Sequence, residues 1–362
     1  MEYPVTGLHH VTACAGAAQP DIDFFTQVVG QRMIKQTILF DGRYAHYHLY
    51  YSNAAAEPGT VMTTFPYKRV KGRKGSGQIQ ATTYTVPHGT VSFWRDHLNK
   101  HKIENKGVQE RFGHKFIRFT HPSGLEFEVM EDPADKRVGW QTPEITPDVS
   151  VRGFFGTVLS VRETGETERF FVDALGFKRT GQEGPFTRLE VGSGGAAKTI
   201  VLHHEPEKPQ GSWIFGEGTP HHVALNVGSD DDLAAQKGIY DELGYTDCSE
   251  IKDRNYFHSI YCRCPGGILV ECAATAEGGF ARDEPFDQLG TSLLLPPWFE
   301  ERRAEIVAML EPIRVPEANG PVAVGVAAPG VGPGAAAPKT GTGASSGVTP
   351  SRRDATFIGG DK

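Results

Sequence analysis

The sequence predicts an α+β fold made of four units of the order βαβββ, and three observations predict it. Strand-like runs and one helical stretch recur in the same order four times along the 362 residues. Aromatic residues and a closing glycine keep one place in three of the helices: Phe24-Phe25 before Gly30, Phe170-Phe171 before Gly176, and Tyr240 before Gly244. The spacing repeats as well, with twenty residues from His10 to Gly30 and from Gly156 to Gly176, and twenty-two from His222 to Gly244. Such a fixed period marks an internal repeat.

The first unit, 7–67, opens with an apolar strand from Leu8 to Ala15 and continues with a helix from Asp21 to Val29, which Gly30 closes as a C-cap. Three strands follow, Arg32 to Phe40, Tyr44 to Ser52 and Thr60 to Phe65, rich in β-branched and aromatic residues and separated by turn residues. The second unit, 78–133, has its strand from Gln78 to Val86, its helix from about Thr90 to Lys100, and strands near Gln109, at Lys115 to Thr120 and at Leu125 to Glu131. After a proline-containing linker, the third unit, 153–206, carries its helix from about Glu166 to Leu175. The fourth, 219–278, carries one from Asp230 to Leu243 and ends on the strand Ile268 to Cys272. The paired phenylalanines read as helix core. Beyond them, 286–313 reads as a helical segment packed on the body, and the Gly/Ala/Pro-rich stretch 316–362 is expected to stay flexible because it has too little to bury.

Composition narrows the function. A formal charge of −7 gives no polyanion-binding surface, so nucleic acid is not an expected partner. Neither a signal segment nor a run of eighteen apolar residues occurs, which predicts a cytoplasmic protein without a membrane partner. The five cysteines are an odd number and lack zinc-site spacing, so they read as free thiols. Gly72 to Gly77 is basic and glycine-rich but lacks the Gly-Lys-Ser/Thr ending and following helix of a phosphate loop.

The chemistry lies in three stretches: Gly7-Leu8-His9-His10-Val11-Thr12, Thr219-Pro220-His221-His222-Val223-Ala224, and Gly266-Gly267-Ile268-Leu269-Val270-Glu271-Cys272. Together they offer two imidazoles and a carboxylate, the set that a non-haem Fe(II) site uses while leaving positions open for oxygen and substrate. Units two and three have Gln80-Ala81-Thr82 and Phe155-Gly156-Thr157 where units one and four have histidine pairs, so the histidines are not part of the repeat itself. Adjacent strand residues face opposite ways, and only one histidine of each pair is expected on the inner face; parity alone leaves open which one. Glu271 stands in an apolar run where an uncompensated carboxylate is costly and a metal ion removes that cost. Glu128 holds the matching place in unit two, and with Glu126 it reads as structural or solvent-facing, while His203 is expected to lack partners.

With these residues the chain resembles the vicinal oxygen chelate superfamily of paired βαβββ modules, and within it the para-hydroquinone ring-cleaving dioxygenases, over about Gly7 to Ile313. The resemblance implies two open barrels, units one and four forming the metal-bearing one and units two and three its companion. It implies Fe(II), with Mn(II) as the alternative ion, on His10, His222 and Glu271. It places His9, His221, Arg254 and Tyr261 around the metal as catalytic groups and leaves His258 without a role. The substrates implied are a small aromatic ring, a hydroquinone of unspecified substitution, and O2, in a homo-oligomeric enzyme. Catechol-cleaving relatives usually draw a histidine from the third unit, where this chain has Gly156. A glyoxalase-like isomerase needs a fourth protein ligand where this chain has Thr63, a poor one. A metal-free binding protein of this fold would have no use for both histidine pairs and Glu271.

Overall fold

The structure, a computed structural model, describes residues 3–40, 42–68, 70–213 and 216–315. The stretch expected to be flexible, 316–362, lies outside the described residues. Unit one comprises β1 (Gly7–Ala15), α1 (Ala18–Asp23), β2 (Arg32–Phe40), β3 (Ala45–Ser52) and β4 (Val61–Pro66). Unit two comprises β5 (Gln78–Val86), α2 (Val91–Lys100), β6 (Asn105–Arg111), β7 (His114–Thr120) and β8 (Glu126–Glu131). In unit three come β9 (Gly153–Val161), α3 (Gly165–Arg169), β10 (Lys178–Glu183), β11 (Phe186–Glu190) and β12 (Thr199–His204). Unit four holds β13 (Thr219–Val227), α4 (Asp230–Glu242), β14 (Lys252–Asp253), β15 (Phe257–Arg263) and β16 (Leu269–Thr275).

Units one and four share one eight-stranded sheet, β14-β15-β16-β13-β1-β4-β3-β2, and units two and three share another, β10-β11-β12-β9-β5-β8-β7-β6. Each sheet curls into a half-barrel about a central antiparallel pair, β1 with β13 or β5 with β9. Both central pairs are interrupted at the same two points. One residue is skipped between Leu8 and His10 and another between Thr12 and Ala13, and the same happens between Ile79 and Ala81 and between Thr83 and Tyr84. The extra residues are His9, His221, Gln80 and Phe155.

The helix expected from Asp21 to Val29 is α1 followed by one turn of π-helix, Phe24–Val28, and α3 passes in the same way into Phe170–Ala174. The wider turn lets two consecutive aromatic side chains enter the core: Phe24 and Phe25 are both buried, and Phe25 stacks on Tyr51 at 4.5 Å. Gly30, Gly176 and Gly244 have φ of 72°, 74° and 80°, a left-handed geometry that favours glycine at a helix end. The C-terminal segment is less helical than expected. It has a 3-10 run at Pro297–Arg302 and then only α5 (Arg303–Met309), whose Ile306 packs with Ile38, Phe40 and Leu295 against unit one.

Candidate metal centre

The register brings the three stretches together. Thr12 of β1 faces His222 of β13, and Ala224 of β13 in turn faces Glu271 of the parallel strand β16. Side chains two residues apart share a face, so His10, His222 and Glu271 all point to one side of the sheet. His10 Nε2 and His222 Nε2 are 3.0 Å apart, and Glu271 Oε2 lies 2.8 Å from His222 Nε2 and 3.5 Å from His10 Nε2. All three residues are buried, Glu271 completely. Burial pushes the Glu271 carboxyl up, but His10 and His222 beside it hold it well below the usual carboxylate range. Burial lowers His222, which favours a neutral ring.

A bulge in each strand decides how the histidine pairs are arranged. His9 and His221 are the bulged residues, and a bulge re-aims the side chain it carries. Instead of facing away, His9 Nδ1 lies 2.9 Å from His10 Nδ1, and His221 Nδ1 lies 2.5 Å from His222 Nδ1. His9 Nε2 also meets Thr275 Oγ1 at 3.0 Å, so both ring nitrogens are engaged. Burial, and then the neighbouring His10, bring His9 down to about 3, and it stays neutral. A neutral His9 accepts at Nδ1 the proton carried by His10 Nδ1, which leaves the His10 Nε2 lone pair facing the centre. His221 can do the same for His222. Each pair therefore has one inward ring and one ring that fixes its tautomer.

Arg254 Nε donates to the Tyr261 oxygen at 3.2 Å, and its guanidinium also stands 5.2 Å from the Tyr261 ring centre. Arg254 is thus tied to the site and not to a surface carboxylate. Burial, then Glu271, push Tyr261 up, so its hydroxyl keeps its proton. His258 is placed elsewhere: its Nδ1 meets Asp230 Oδ1 at 2.8 Å in the first turn of α4. Further residues complete the surroundings. Ser259 donates to Glu271 Oε1, and Thr12, Thr63, His48 and Tyr50 form a hydrogen-bonded row from β1 across β4 to β3. Their signal was the alternation His46, His48, Tyr50 on a strand next to Thr63, which has no meaning until the strand order is known.

In the other sheet, Glu128 is completely buried and structural, held by Arg111, Arg118 and Thr83, while Glu126 lies 3.7 Å from Arg118. His203 does have partners, contrary to expectation: Gln80 Oε1 at 2.9 Å and Glu205 at 3.4 Å. The five cysteines are free thiols. No helix among the described residues is long and apolar enough to cross a membrane.

The triad fits a metal ion. Its three donor atoms form a triangle with edges of 2.8, 3.0 and 3.5 Å. Ligands roughly 2.1 Å from one ion at right angles have edges of about 3 Å. Glu271 Oε2 is buried without a hydrogen-bond partner among the described residues, a costly state for a charged oxygen that a cation would relieve. Two imidazoles and one carboxylate on a single face form the facial set of non-haem iron sites.

No protein-family model matches the chain. It is 40% identical to the chlorohydroquinone/hydroquinone 1,2-dioxygenase of Sphingobium indicum over 320 residues, covering 86% of this chain and 99% of that one. It is 36% identical to MhqO of Bacillus subtilis, assigned as a ring-cleaving dioxygenase, over 88% of this chain and 100% of that one. The chain belongs to the ring-cleaving dioxygenases. A crystal structure of a Bacillus subtilis protein titled as a dioxygenase superposes on this dioxygenase with a TM-score of 0.81 at 35% identity, covering 87% and 99% of the two chains. Glyoxalase I from Zea mays, at 14% identity and a TM-score of 0.53, covers 74% of this chain and 92% of its own, and shows the vicinal oxygen chelate fold.

Proposed function

We propose that this dioxygenase uses Fe(II), held by His10, His222 and Glu271, to cleave the ring of a hydroquinone with both atoms of O2 entering the product. The observation that carries the reading is the convergence of two imidazoles on the fully buried Glu271 Oε2, which has no hydrogen-bond partner among the described residues. The hydroquinone class is supported by the name of the Sphingobium indicum relative. Bound iron would let electron density pass between an aromatic oxygen and O2. The chain's own groups prepare that chemistry. His9 and His221 fix the two ligand tautomers. Tyr261 accepts from Arg254 and keeps its own proton, so its O–H can be given to an anionic substrate oxygen. Ser259 occupies the second oxygen of Glu271 and leaves the first free to bind.

In this reading, units 7–67 and 219–278 form the catalytic half of a cytoplasmic homo-oligomer, and 78–133 with 153–206 form its support. Thr63 stands where an isomerase of this fold would place a fourth ligand, and its hydroxyl is already taken by Thr12 and His48. Oxygen uptake by anaerobically prepared, Fe(II)-loaded protein tests the reading, with hydroquinone, methylhydroquinone, chlorohydroquinone and catechol as substrates and metal content assayed on the same sample. Uptake with the hydroquinones, lost in His10→Ala and Glu271→Ala, is expected. Stoichiometric iron without uptake on any ring would overturn it, and preference for zinc or nickel would favour the isomerase.

A further inference from the structure

Units one and four are related by the repeat, and so are the strands that flank the centre. In unit four, Tyr261 on β15 faces Glu271 on β16, and Ser259, two residues earlier, hydrogen-bonds the Glu271 carboxylate. In unit one, Tyr50 on β3 faces Thr63 on β4, and His48, two residues earlier, hydrogen-bonds the Thr63 hydroxyl at 3.0 Å. Tyr50 and His48 are thus the counterparts of Tyr261 and Ser259 on the opposite wall. The wall near Tyr261 serves the metal-bound end of a ligand, and the repeat sets a second polar wall across from it.

Two observations show that the His48 ring faces the centre. Thr12 shares a face with His10 and pairs with Thr63, which pairs in turn with Tyr50, two residues from His48, so all of them stand on the face of the triad. Its strand neighbours Thr37, Tyr50 and Thr63 and the adjoining Phe65 are all buried, yet His48 itself is only half-buried. Its open side therefore lies toward the interior of the half-barrel. Tyr50 Oη stands 3.0 Å from His48 Nδ1 and burial keeps this phenol protonated, so it can donate there and leave the proton of His48 on Nε2. That N–H points at Thr63 Oγ1, which also has Thr12 Oγ1 at 2.8 Å. An incoming oxygen can take the His48 N–H while Thr63 keeps Thr12.

We propose that His48, oriented by Tyr50, binds the ring hydroxyl of the substrate that lies opposite the metal-bound oxygen, and so selects para-diols. The inference rests on the hydroquinone reading above. A para-diol carries its second oxygen across the ring, where β3 lies two strands, roughly 10 Å, from β1. A catechol carries both oxygens on one side and would leave His48 without its partner. Sites built to hydrogen-bond a hydroxyl discriminate strongly against ligands that lack it.

The test compares anaerobic equilibrium binding of hydroquinone and of phenol to the Fe(II)-loaded, full-length protein. His48→Phe fills the same space without ring nitrogens, and His48→Gln restores one donor. We expect the hydroquinone-over-phenol preference to fall about tenfold in His48→Phe, at unchanged iron content, and to recover in part in His48→Gln. Tyr50→Phe is expected to lower the same preference by a smaller factor, and it decides the matter if His48→Phe does not fold. An unchanged preference in these variants, or an equal loss for phenol and hydroquinone, would overturn the assignment. Wild-type protein that binds hydroquinone with this preference but takes up no oxygen would instead overturn the proposed reaction, so the two failures are separable.

Discussion

Glu271 and Glu128 stand at the same point of the repeat in the two sheets, each on the last strand of its unit and opposite the second residue beyond the bulge-and-histidine position, Ala224 or Thr83. Both are completely buried. Around Glu128 the neighbouring strands supply Arg111 and Arg118, which donate to both its oxygens, and Thr83 adds a third partner. Around Glu271 the strand partner in the position of Arg118 is Tyr261, Arg254 has turned to that tyrosine, and the remaining neighbours are the Ser259 hydroxyl and two imidazoles. One half-barrel neutralises its buried carboxylate with protein cations, and the other leaves an oxygen for an ion to claim. A buried carboxylate needs a positive partner in either case, and under the proposed function the identity of that partner separates a structural half from a chemical one.

The largest break in this comparison is Glu271→Ala or His10→Ala. Either is expected to lose the metal and reduce ring cleavage by more than about a thousandfold, read as metal content and oxygen uptake. Glu128→Gln is expected to do the reverse. It keeps the metal but lowers unfolding stability by about 3–5 kcal/mol, because the buried Arg111 and the half-buried Arg118 lose their counter-charge; a denaturant titration measures it.

Acid titration probes the same pair without mutation. Burial raises the Glu128 carboxyl, but Arg111, Arg118 and their hydrogen bonds bring it from 4.5 to about 2. A depressed folded pKa contributes stability above pH 4.5 that is lost as pH falls toward 2, on the order of 3 kcal/mol in all. Glu128→Gln should flatten that slope. Among the bulged residues, His9→Phe is expected to weaken metal affinity by about 10- to 100-fold while its counterpart change Gln80→Leu leaves it unaltered, by metal-competition titration. Smallest of all, Thr63→Val should keep the metal and cost about 1 kcal/mol of stability for the lost hydrogen bonds.

Much of this was legible in the residues. The repeat showed in the aromatic-then-glycine spacing because a helix must bury one face and end in a turn, and Gly30, Gly176 and Gly244 do take left-handed φ. The two histidine pairs and Glu271 stood out because the companion units lack them. The exchange between Glu128 and its arginines did not show, since Arg111 is seventeen residues from its partner and only the β7–β8 register makes Arg118 its neighbour. Simple alternation left open which histidine of each pair turns inward, because a bulge adds one residue to one strand and leaves no mark in hydropathy.

The sequence by itself determined the α+β class, the four-unit repeat and the residue types of the candidate centre, because periodicity and composition are local properties. Tertiary structure decided how units share sheets, which way each histidine of a pair turns, and that His48 and Tyr50 join the wall facing the triad. Those outcomes depend on strand order and register, which are set by contacts between residues as far apart as His10 and His222.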